Sequence, residues 1–169
     1  FADSDAAEVG GLGSDLLADP CAFLAAEHGR QRALLGHLER LARRAHGAAQ
    51  PAIAKALVAW LACELPLHLT DEADSLMPRL AAAAPALVVR LEAEDLALRD
   101  LRQKVREALA PIAAGHAAPD GFAATALAFA QLYRQRLATE EGEVLPTARR
   151  VLDAAAFDAI AAEMRQRRN

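Results

Sequence analysis

Leucine and other apolar side chains recur at three- and four-residue steps along four stretches of this chain: Pro20 to about Ala45, Pro51 to about Leu76, Pro85 to Leu109 and Phe122 to Leu145. That period lays them on one face of a helix, and four such faces joined by short connections bury themselves by packing on one another. The expected fold is all-α, an antiparallel up-down four-helix bundle over residues 19–169 with a short C-terminal helix after Pro146. Residues 1–18, rich in Gly, Ala and Asp without a period, read as a poorly ordered arm. Composition agrees with helices, because 54% of residues are hydrophobic but only 4% aromatic, leaving Ala and Leu, both strong helix formers, to fill the interior. Asp19-Pro20 reads as an N-cap followed by the proline favoured at the first helical position. Pro66 predicts a bend, Met77-Pro78 a connection, Pro111 a stop and Pro119-Asp120-Gly121 a turn.

Each apolar stripe is interrupted near its middle by an ionisable group. Leu24, His28, Gln31, Leu35 and Leu38 share one face, as do Leu57, Leu61, Leu65, His68, Glu72 and Leu76. The third stripe runs through Leu91, Glu94 or Asp95, Leu98, Leu101 and Val105, and the fourth through Phe129, Leu132 or Tyr133, Arg136, Glu140 and Val144. Taken singly, each has an ordinary explanation: a hydrogen-bonded core histidine, a His68–Glu72 pair, or Arg136–Glu140 and Asp95–Arg99 bridges one turn apart. Four helices bringing such groups to one depth point instead to a shared partner, since an unpaired charge is too costly to bury. His28, His68, Glu72 and Glu140, with Asp95 nearby, offer imidazole nitrogen and carboxylate oxygen, a mixture that suits iron, manganese or zinc. His37, nine residues after His28, falls on the opposite face and is expected in solvent. His46 and His116 lie at loop ends, and Cys21 and Cys63 are expected to be buried small hydrophobes.

One pattern occurs twice. His68-Leu-Thr-Asp-Glu72-Ala-Asp-Ser-Leu-Met-Pro78 and Arg136-Leu-Ala-Thr-Glu140-Glu-Gly-Glu-Val-Leu-Pro146 share a Leu, a Glu four residues after the first position, an apolar pair and a closing Pro. A weaker echo aligns Glu27-His28 with Glu94-Asp95. The bundle therefore reads as two helix pairs built on one plan, with His at the head of one segment and Arg at the head of the other. Arginine cannot ligate a metal, because it stays protonated and has only donors.

The formal net charge of -4, without a concentrated basic face, argues against nucleic acid as a partner. The apolar runs are too short or too interrupted to predict a bilayer span. Two cysteines make no disulfide framework, and a cytoplasmic location is the expectation.

From about Asp19 to Arg168 the chain resembles the hemerythrin-like, or HHE cation-binding, domains. The resemblance rests on Glu27-His28, on His68-x-x-x-Glu72 followed by Leu76-Met77-Pro78, on Glu94-Asp95-x-x-Leu98-Arg99, on Arg136-x-x-x-Glu140 followed by Leu145-Pro146, and on the tail Glu163 to Arg168. It implies two irons between the helices, one held mainly by histidines of helices one and two, the other by histidines of helices three and four, with carboxylates of helices two and four bridging. Carried over, His28 and His68 keep the first half, and Glu72 and Glu140 keep the bridges. Asp95 and Arg136 stand where the second half needs histidines. A guanidinium there supplies positive charge to Glu140, Asp95 and Glu72 in place of the missing ion, and its planar fork can bond two carboxylates. The expectation is one iron, with di-iron, manganese or zinc left open, in a metal-binding protein of metal or oxygen sensing, storage or stress response. Dioxygen is a candidate small ligand. The alternative is a metal-free interaction scaffold in which Arg136 and Arg99 neutralise the buried carboxylates. No substrate-pocket signature supports an enzyme, Tyr133 being only a nearby phenol, and a homo-oligomer is left open.

Overall fold

A computed structural model describes residues 14–44 and 51–169 of the chain. The described residues form helices and no strand. Four long helices make the bundle: α1 (Pro20–Arg43), α2 (Pro51–Leu80), α3 (Pro85–Ala113) and α4 (122–151). A shorter α5 (Ala154–Arg167) follows, so the expected all-α up-down bundle with a C-terminal helix is what the chain adopts. Of the arm, residues 1–13 lie outside the described residues, as does the break at His46-Gly47; Ser14–Ala18 form a 3₁₀ turn with Leu17 buried.

Local chemistry sets the ends. The Asp19 carboxylate accepts from Ala22 N–H at 3.0 Å, capping α1 just before Pro20. Asp153 does the same for α5 through Ala156 N–H at 2.8 Å. Between α3 and α4, Gly115 and Gly121 take φ of 87° and 80°, a left-handed conformation that other residues pay to adopt.

Three prolines behave differently from their sequence reading. Met77-Pro78 stays helical to Leu80, Pro111 lies inside α3, and Pro146 lies inside α4. The bend expected at Pro66 takes the form of a π turn over Trp60–Glu64, in which Leu65 N–H bonds the Trp60 carbonyl. The same device recurs where Met77 N–H bonds the Glu72 carbonyl and Leu145 N–H bonds the Glu140 carbonyl. In each case the residue whose N–H closes the wide turn directly precedes a proline. A proline ring clashes with the carbonyl four residues back, and one extra residue in the turn moves that carbonyl away. The repeated Leu-x-Pro and Leu-Pro endings thus mark a wide turn, and two of the three wide turns carry Glu72 or Glu140.

The buried apolar side chains fall into two clusters. One contains Leu34, Leu35, Leu61, Leu65, Leu98, Leu137 and Trp60, whose ring meets those of Phe129 and Tyr133, and the other contains Phe23, Leu24, Leu76, Leu91, Val144, Leu145 and Met164. Along each long helix, the polar residues at issue lie between the two: His28, then His68 and Glu72, then Asp95, then Arg136 and Glu140. A polar layer therefore divides the core. Part of α2 is long and apolar enough to cross a membrane by composition, with a mean hydropathy of 1.4, which the interrupted runs had not suggested. Its Ala54, Leu57, Trp60, Leu61, Leu65 and His68 are buried in the bundle.

Candidate metal centre

Apart from Asp95, the polar layer is closed to solvent. His28, His68, Glu72, Glu140 and Arg136 are all at most 2% exposed. One ligand atom from each of His28, His68, Glu72 and Glu140 lies within 4.8 Å of the other three. His68 and Glu72 face inward together because four residues span about one helical turn. The π turns beginning at or beside the two glutamates set where each carboxylate enters the layer.

The two glutamates share a geometry. Glu72 Oε1 lies 3.5 Å from His68 Nε2 and 3.9 Å from His28 Nε2, while Oε2 lies 3.7 Å from Arg136 Nη2. Glu140 Oε2 lies 2.9 Å from His28 Nε2, while Oε1 accepts from Arg136 Nε. Each carboxylate therefore presents one oxygen to the imidazoles and the other to the guanidinium. Arg136 Nη1 also donates to the Leu91 carbonyl at 2.9 Å and lies 3.1 Å from Asp95 Oδ1. Four groups on three helices thus surround one side chain, and against the pull of burial Glu140, Glu72 and Asp95 hold the Arg136 pKa above its usual value.

Asp95 is brought to Arg136 and is not among the four clustered ligands. Its pKa is pushed up to about 6 by burial, against the pull of Arg136. Glu94 is half-buried and 4.0 Å from the same guanidinium. Arg99 is exposed and pairs with no carboxylate within 4.0 Å among the described residues; it lines a cavity of about 270 Å³ with Asp95, Arg102, Phe129 and Tyr133. Of the two candidates on the fourth stripe, Tyr133 faces inward and donates to Gln31 Oε1 at 2.9 Å, while Leu132 is 38% exposed. Burial raises the Tyr133 phenol well above its ordinary value. Two expectations fail at the periphery. His37 is buried, with Arg40 Nη2 folded against its Nδ1 at 2.8 Å, and Cys63 is exposed.

Two supporting groups were not foreseen. His68 Nδ1 lies 2.7 Å from Glu27 Oε2, so that nitrogen donates and, in the neutral ring, Nε2 keeps its lone pair toward the cluster. His28 Nδ1 faces Glu141 Oε1 at 3.5 Å, and Glu141 is itself held by the Arg32 fork. Glu27 stands next to His28 in sequence, but its contact with α2 depends on how the helices register, which periodicity does not encode.

The electrostatics follow from this crowding. Burial pulls His28 toward the neutral form, but Glu140 and Glu72 outweigh it and push its pKa up to about 9. Burial likewise opposes, and Glu72 and Glu27 overcome, in raising His68. Glu140 is held low despite burial by His28 and Arg136.

The donor set fits a cation. His28 Nε2, His68 Nε2, Glu72 Oε1 and Glu140 Oε2 are all buried without a hydrogen-bond partner. Leaving a buried polar atom unsatisfied costs about 1–3 kcal/mol, more when it is charged; here the four atoms have only one another, as in the 2.9 Å approach of His28 Nε2 to Glu140 Oε2, and one cation could serve them all. Once deprotonated, two imidazoles together with two carboxylates are ligands for a first-row divalent ion.

No curated protein matches the chain. The family model described as the hemerythrin HHE cation binding domain matches residues 19–148. That match begins at the cap of α1, runs through every residue of the polar layer and ends within the last turns of α4, so the chain belongs to the hemerythrin HHE cation-binding domain family.

Proposed function

We propose that the chain binds one divalent ion, iron by preference, through His28, His68, Glu72 and Glu140, and that Arg136 stands as a permanent cation on the far side of both glutamates. The observation that carries this reading is the division of the carboxylate oxygens: one of each pair lies among the imidazoles and the other faces the guanidinium. Charge supports one ion over two. Arg136 already offsets part of the charge of Glu72, Glu140 and Asp95, with Glu94 at 4.0 Å, so less negative charge is left for a second ion than for a first. Bound iron would supply Lewis acidity and one-electron chemistry at a site with more than one ligand class. The cavity of about 270 Å³ is lined by Asp95 and Tyr133 but by none of the four ligands, which favours a binding module in sensing, storage or stress response over a catalyst. Elemental analysis after anaerobic loading of nickel-free protein with ferrous iron tests the reading. A plateau near one ion per chain is expected. Two ions would defeat the role given to Arg136, and none, with the fold intact, would leave a scaffold neutralised by that arginine.

Loading should also release protons. A ligating imidazole is neutral, whereas His28 in the metal-free chain keeps its proton up to about pH 9. Ferrous uptake near pH 7 should therefore acidify a weakly buffered solution by between about one and two protons per ion, and affinity should fall as pH drops. The sign for the metal-free fold is the reverse. The raised His28 pKa stabilises it fully below about 6.5 and ceases to do so as pH rises through about 9. Calorimetric titration in buffers of different ionisation enthalpy reads the proton count directly; zero protons released would mean that the imidazoles are not ligands.

A further inference from the structure

The turn that carries Glu72 has a second face. Helix α5 lies across it and places two guanidiniums on its outer side. Arg167 Nη1 donates to Asp71 Oδ1 at 2.8 Å and Nη2 to Ser75 Oγ at 2.7 Å, while Arg168 Nη2 donates to Asp71 Oδ2 at 2.6 Å. Asp71 and Ser75 are fully buried, and both belong to the π turn Asp71–Leu76 that directs Glu72 inward. Arg168 Nη2 also lies 3.8 Å from Glu27 Oε1, whose other oxygen accepts from His68 Nδ1. Its guanidinium sits 4.8 Å over the Phe23 ring. Higher on α5, Glu163 accepts both Nη atoms of Arg79, which fixes the helix against α2. One end of α5 therefore holds the residue beside one ligand and the carboxylate behind another.

We infer that Arg167 and Arg168 are positioning residues of the metal centre, so that docking of the last turn of α5 and metal binding are thermodynamically coupled; this rests on the reading that the four-residue cluster holds an ion. The physical basis is the shared π turn. A π turn is a rare insertion in an α-helix, so its shape depends on what grips it from outside. The arginines grip Asp71 and Ser75; an ion grips Glu72 and, through His68, bears on Glu27. If the grip of α5 favours the ligating arrangement, ion binding must favour α5 docking by the same factor, because linkage between binding equilibria is reciprocal. The tail of the chain would then report whether the centre is loaded.

The test uses the full chain under anaerobic conditions. Ferrous affinity is measured by competition with a chromophoric chelator for the unmodified chain, for Arg167→Ala/Arg168→Ala and for Arg149→Ala, which removes only an exposed pair with Asp19. Amide exchange across 161–167 is followed with and without ferrous iron. The double variant should bind roughly tenfold or more weakly, the range typical of lost outer contacts to metal ligands, and Arg149→Ala should match the unmodified chain. Iron should slow exchange in the tail of the unmodified chain and should not in the double variant. A merely structural pair of arginines would lower the melting temperature but leave tail exchange indifferent to iron. Should the double variant not fold, exchange in the unmodified chain decides alone. Normal iron binding with an indifferent tail, or with unchanged affinity in the double variant, overturns the coupling and leaves the metal reading standing. An unmodified chain that binds no iron overturns both.

Discussion

Arg136→Met destabilises the metal-free chain by about 3–5 kcal/mol, the range for removing one partner of a buried ionic cluster. Methionine has similar reach and packs well, so the loss reports charge more than volume. With the guanidinium gone, Glu72 Oε2, Glu140 Oε1, Asp95 Oδ1 and the Leu91 carbonyl face one another without a donor. The pH dependence identifies the cause. Buried carboxylates without a counter-ion take folded-state pKa values above their unfolded ones, as Asp95 at about 6 already does with Arg136 present. The folded variant then binds more protons than the unfolded chain, so its deficit grows as pH rises from about 5 to 8 and shrinks on acidification. Urea unfolding at several pH values measures this. A deficit below about 1 kcal/mol, or one that does not change with pH, would mean that Arg136 is packed there without neutralising the layer.

What could be read from the sequence follows from what a helical period encodes. It fixes which residues share a face within one helix, so His28, His68, Glu72, Arg136 and Glu140 are all identifiable as interruptions of apolar stripes, and all five prove buried. It does not fix phase closely enough to separate neighbours where the stripe is loose. Glu94 and Asp95 both turn out half-buried, and only contact with Arg136 at 3.1 Å against 4.0 Å tells them apart. Nor does it encode the register between helices. Glu27 behind His68 is 41 residues distant in sequence, and Arg167 on Asp71 is 96. The prolines misled for a third reason. Pro78 and Pro146 look like stops because an α-turn cannot hold them, but a π turn placed just before each lets the helix continue. In both cases the residue whose carbonyl closes the wide turn is the glutamate of the candidate centre, so the feature hidden from propensity is tied to the site.

Arg136→His raises the ferrous plateau from about one ion per chain to two. The guanidinium occupies a position already provided with oxygen donors: the second oxygens of Glu72 and Glu140, and Asp95. Replacing it with an imidazole exchanges a fixed positive charge for a neutral ligand, so the negative charge that Arg136 balanced becomes available to a second cation, and three carboxylates with one imidazole are a reasonable set for it. His68→Ala supplies the complementary control, because His68 serves only the first position: its Nε2 lies near Glu72 Oε1, on the side away from Arg136. In the unmodified background that change should take the plateau from one ion to none at micromolar free iron, whereas combined with Arg136→His it should take two to one. The pattern distinguishes two independent positions from one enlarged site, since an enlarged site would lose both ions together. A plateau that stays at one in Arg136→His would contradict the idea that the guanidinium holds the place of an ion, and would shift the weight of Arg136 from ion replacement to its bond with the Leu91 carbonyl, which ties α4 to α3 whatever metal the layer contains.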